Sequence, residues 1–97
     1  MDVSELEKLE KLSCEKNRRM TRLTVNGAKA LKSINCEHGD IGSLDVSELT
    51  RLEYLFCLDN PRLTRLVISG AESLFQLDCS ETGITSVDAT RLPALAH

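Results

Sequence analysis

Four cysteines, Cys14, Cys36, Cys57 and Cys79, recur at spacings of 22, 21 and 22 residues. This period constrains the fold more than any other feature. A repeat this short cannot bury an apolar face alone and must stack on its neighbours. The rest of the chain keeps the same beat. Leu12, Ile34, Leu55 and Leu77 stand two residues before the cysteines. Leu9, Leu31, Leu52 and Leu74 stand three residues earlier still, and Leu95 continues that column. A second apolar pair falls between the cysteines at Leu23/Val25, Leu44/Val46, Leu66/Ile68 and Val87/Ala89, and Met1/Val3 matches it. Met20, Ile41, Leu63 and Ile84 fill the turn between the beats. Both beats alternate inward and outward residues, as strands do. The expected fold is a solenoid whose short strands stack in parallel about 4.8 Å apart.

A longer period overlies the short one. Residues 2–44 laid on 45–87 agree at about half of their positions, and "DVSEL" opens both copies. One inward column reads Leu6, Ala28, Leu49, Ala71, Leu92, so that large alternates with small. Such alternation suits close packing, where voids and excess volume both cost stability. Gly27 and Gly70 precede the two alanines. The extra residue of the longer spans falls between Cys14 and Leu23 and between Cys57 and Leu66, in a turn, where insertions are tolerated.

The pattern L-x-x-L-x-C-x-x-N stands at Leu9–Asn17 and again at Leu52–Asn60. With the "MTRL" and "LTRL" beats that follow, it resembles the leucine-rich repeat consensus, and in particular the bacterial repeats of 21–22 residues that carry a cysteine ladder, as in internalin J-like proteins. The resemblance implies a leucine-rich repeat solenoid. Short parallel strands would line one side, the other would be irregular or carry short strands, and there would be little or no α-helix. Residues 1–97 would be a single array of about four to four and a half repeats, cut or uncapped at both ends. It also implies a bacterial surface or secreted parent. One departure is clear: the asparagine position reads Asn17, Gly39, Asn60, Thr82, so some turn groups must be satisfied in another way.

Composition narrows the function classes. A net charge of -3 argues against a nucleic-acid partner. The longest apolar runs are far too short to insert in a membrane as a helix. The four cysteines fall in the inward phase with leucine and read as a buried core ladder of small hydrophobes. A straight column does not make a tetrahedral metal site, and His38 falls past the strand, in a turn. Disulfides need Cβ atoms closer than strands in register hold them. No cofactor is implied. No set of acid, base and nucleophile is visible, so no catalytic residues are assigned and the chain does not read as an enzyme.

Function is expected on the outward residues around the cysteines. In a leucine-rich repeat, the strand before the asparagine turn lines the concave face. Its outward residues read Lys11, Ser13, Glu15, then Ser33, Asn35, Glu37. The third rung reads Tyr54, Phe56, Leu58, and the fourth Gln76, Asp78, Ser80. Three rungs are polar and one is apolar. Exposed aromatics in a polar surround are typical interface anchors. The expected site is therefore Tyr54, Phe56 and Leu58 for a protein or peptide partner (or a glycan), with Asn35, Glu37, Gln76 and Asp78 as a polar rim. The alternative is a spacer or self-assembling element that uses the same patch and the open ends. Phe75 either covers the edge of this patch or packs in a turn. The outward residues of the second beat, Arg22, Thr24, Ser43, Asp45, Arg65, Val67, Ser86 and Asp88, read as a solvated charged face.

Overall fold

A computed structural model describes residues 1–84. Its regular structure is six parallel strands of three residues each, and the described residues contain no helix. Strands β1 (Lys11–Ser13), β2 (Ser33–Asn35), β4 (Tyr54–Phe56) and β6 (Gln76–Asp78) form one continuous sheet in the order β1-β2-β4-β6. Strands β3 (Ser43–Asp45) and β5 (Arg65–Val67) form a second, two-stranded sheet. The larger sheet is the cysteine beat and the smaller is the second apolar beat. Strands that pair are one coil apart in sequence. Each strand turns its central residue toward the core: Ile34, Leu44 and Leu55 are buried, while Leu12, Leu66 and Leu77 are partly buried against it. Of the second beat, Val87 and Ala89, with the outward Ser86 and Asp88, lie outside the described residues, as do Leu92 and Leu95 of the inward columns.

Two devices bend the chain between strands. After the second beat, pairs of successive turns are closed by N–H groups bonding back three residues: Leu49 to Val46 and Leu52 to Leu49, then Ala71 to Ile68 and Leu74 to Ala71. The same pairs occur at Val3-Leu6-Leu9 and Val25-Ala28-Leu31. A turn of this kind returns every third side chain to the interior. After each cysteine, one residue reverses the chain in the left-handed region. Lys16, His38, Asp59 and Glu81 occupy this place with φ between 56 and 59°. None is a glycine, and the conformation costs an L-residue about 1 kcal/mol. The stacked coils impose it at the same point in every repeat.

The core is one continuous cluster running through the coils, including Leu31, Ile34, Leu52, Leu55 and Leu74, all fully buried. The alternating column is present where coils lie on both sides: Ala28, Leu49 and Ala71 have no exposed surface. Leu6 departs from the inward expectation. It is 51% exposed because it stands on the outermost described coil, with a neighbour on one side only.

The two-coil period is visible in the pairing itself. The second beat pairs at Asp2 with Thr24, and again at β3 with β5. Among the described residues no ladder joins Thr24 to β3. Within each pair the coils approach so closely that a Cβ on Gly27 would lie 2.0 Å from the Ser4 carbonyl oxygen. A Cβ on Gly70 would lie 1.9 Å from that of Ser47. Each glycine therefore stands where two backbones touch. Across the open step, side chains take over: Asn26 donates to Glu48, and Lys29 faces the same carboxylate.

Candidate functional site

The larger sheet places the anticipated residues side by side. The register sets Phe56 between Asn35 and Asp78, and Tyr54 between Ser33 and Gln76. Glu37 and Leu58 lie just beyond, on adjacent coils, where the His38 N–H donates to the Leu58 carbonyl. Asn35 accepts the Glu37 N–H at 3.2 Å, and Asp78 accepts from both the backbone and hydroxyl of Ser80. Tyr54, Phe56 and Leu58 are half-buried. Their rows are stacked closely enough for the side chains to shield one another.

The aromatics form a cluster of three. The Tyr54 and Phe56 rings are nearly parallel, with centroids 6.3 Å apart and planes inclined by 22°. Phe75 meets Tyr54 edge to face, at 6.3 Å and 76°. Of the two roles expected for Phe75, the structure shows the first: it extends the patch, and it is 48% exposed. A shallow depression runs between these rings, lined by Glu53, Tyr54, Glu72, Ser73 and Phe75. Glu53 and Glu72 have no part in the repeat consensus and could not be singled out from the sequence.

A second cluster was also hidden. Arg18, on the turn after the first cysteine, reaches over the second coil. Its guanidinium donates to the Gly39 carbonyl at 2.9 Å and to Asp59 Oδ2 at 2.6 Å. His38 Nδ1 lies 2.9 Å from the same Asp59 oxygen. The hydrogen bonds from His38 and Arg18 hold the Asp59 carboxyl below the ordinary carboxylate value. The Arg18 side chain is half-exposed, so the pair clasps three turns together at a modest gain in stability. His38 occupies the turn expected of it. Arg18 and Asp59 are 41 residues apart, and only the winding of the coils brings them together.

Asn60 resolves the broken asparagine column. Its amide donates to the carbonyls of Cys36 at 2.9 Å and Cys57 at 3.0 Å, and its oxygen accepts the Ile41 N–H at 3.2 Å. One fully buried side chain thus serves its own turn and that of the coil above. Gly39 permits this, because a Cβ there would stand 2.7 Å from the Asn60 oxygen. Thr82 caps its own turn by donating to the Cys79 carbonyl at 2.7 Å.

The four thiols are free and stacked. Cys36 and Cys57 are fully buried, while Cys14 and Cys79 are half-buried on the outer rungs. Burial pushes the Cys36 thiol up to about 12, with the neighbouring Cys14 adding to the shift. Burial likewise raises Cys57, Cys14 and Cys79. Nucleophilic attack needs the thiolate, so the two central thiols have neither access nor charge. An alkylating reagent in mildly alkaline buffer should modify Cys14 and Cys79 slowly and leave Cys36 and Cys57 untouched until denaturant is added. Peptide mass mapping reads this directly, and equal labelling of all four in the native state would contradict a closed ladder.

Comparisons with known proteins place this geometry. The solved functional domain of InlJ from Listeria monocytogenes, described as including a cysteine ladder, superposes with a TM-score of 0.92 at 28% sequence identity. The match covers 98% of this chain and 21% of that one, so the chain spans about a fifth of its neighbour's length. No protein-family model and no curated protein matches the sequence. With a cysteine on every rung of the larger sheet and strands in register, the chain shares the leucine-rich repeat fold and the cysteine ladder of this neighbour along nearly its whole length.

Proposed function

We propose that this chain is a non-catalytic recognition module, which binds a protein or peptide through the outward face of its larger sheet. The observation that carries this reading is the Tyr54–Phe56–Phe75 cluster, set in a face whose other rungs present Lys11, Ser13, Ser33, Asn35, Gln76 and Asp78. Aromatics give large contact area for few rotatable bonds, and a sheet of stacked coils holds them rigidly before binding. Asn35, Glu37, Gln76 and Asp78 surround Phe56 and Leu58 as the polar rim. The face corresponds to the concave side of leucine-rich repeats. The internalin-like neighbour supports a bacterial surface or secreted parent.

Self-assembly is the competing reading. It is favoured by the exposed apolar edge at Met1 and Leu6, which are 49% and 51% exposed. Light-scattering mass across a concentration series decides between them, on the native chain and on a Tyr54→Ser/Phe56→Ser variant. The recognition reading expects a monomer at every concentration in both. A native oligomer that the double substitution dissociates would make the patch an assembly surface and end that reading.

A further inference from the structure

From the recognition reading, the geometry points to a partner of definite charge: we infer that the corner between Tyr54 and Phe75 receives the cationic head of a lysine or arginine side chain from a protein partner. Three observations converge there. The two rings stand at 76° with centroids 6.3 Å apart, so they form adjacent walls rather than a closed stack. Ring faces carry partial negative charge and attract cations that lie over them. The depression between those walls is lined by two carboxylates, Glu53 and Glu72. Among the described residues neither makes an ion pair.

Two further carboxylates stand near the corner. Glu37 and Asp78 flank the neighbouring Phe56 and Leu58, and Asp78 sits directly beside Phe56 in the register. The nearest lysine along the coil stack is Lys32, one coil from Glu53. Its ammonium is turned to Glu10 on the opposite side, at 3.6 Å. A neutral apolar ligand would gain from the rings alone and leave the carboxylates to be desolvated without a partner, which is costly. A basic side chain satisfies both walls and floor. Its aliphatic stem covers the rings while its head meets the carboxylates.

The chain has one tyrosine and no tryptophan, so its intrinsic fluorescence reports on this corner. The probe is a Gly/Ser peptide carrying several arginines, set against the same peptide with citrulline, which keeps the shape and loses the charge. Titration should change Tyr54 emission with the arginine peptide, and the citrulline peptide should bind about tenfold more weakly. Calorimetry with Glu53→Gln/Glu72→Gln should show about fivefold weaker binding and a reduced salt dependence. Phe75→Leu, at a half-exposed position, should also weaken binding without unfolding the chain, as checked by circular dichroism. Equal binding of the two peptides, or native affinity in both variants, would overturn the inference. If a neutral oligosaccharide or apolar peptide binds at Tyr54 while the arginine peptide does not, the cation inference fails and recognition stands. If the chain self-associates through the patch, both fail.

Discussion

Gly70→Ala should destabilise the chain by about 3 kcal/mol, read as a fall in the urea midpoint. The added Cβ would lie 1.9 Å from the Ser47 carbonyl oxygen and 3.0 Å from its carbon. Those atoms are backbone, so no side chain can turn aside. The coils must separate, and the β3–β5 pairing beside them is the contact that would be lost. Gly27→Ala meets the Ser4 carbonyl in the same way and should behave alike. Gly42→Ala is the control. Its nearest neighbour would be the Arg62 carbonyl oxygen at 3.9 Å, an ordinary contact, so the change should stay within about 0.5 kcal/mol. A small effect at Gly70 would mean that the coils are not in backbone contact.

Asn60→Ala should cost about 3 kcal/mol, because it strands several buried groups at once. The carbonyls of Cys36 and Cys57 lose a donor, and the Ile41 N–H loses its acceptor. Leaving such groups buried and unpaired is more costly than never having made the bonds. Asn17→Ala tests the argument from the other side. Asn17 follows the first cysteine as Asn60 follows the third, yet its side chain makes no hydrogen bond among the described residues and is only half-buried. That substitution should cost less than about 1 kcal/mol. Equal losses at both positions would show that the asparagine acts within its own turn and not between coils.

The inward column of cysteines is legible in the sequence alone. Their inward phase follows from position within a strand, a local property, and the structure buries Cys36 and Cys57 accordingly. The central strand residues Ile34 and Leu55, and the columns through Leu31, Leu52 and Leu74, follow from the same rule. The placement of Tyr54 beside Phe56 needed only strand alternation. Strand alternation does not place Phe75, because the residue lies just outside a strand and its direction depends on the turn below.

The repeat period is enough to dictate the winding: coil length, the residues that face the core, and the class of solenoid. These are periodic, and a period is visible in one dimension. The tertiary structure alone decided how neighbouring coils meet. It set the second-beat strands in pairs, gave the amide of Asn60 to two turns across Gly39, and brought Arg18 to Asp59 over His38. It also left Leu6 exposed at the outermost described coil and put Glu53 and Glu72 beside the aromatic corner. Each of these depends on the offset between stacked coils, which a single extra residue in a turn changes by a large fraction of a strand spacing. That offset is fixed only when the backbones come into contact.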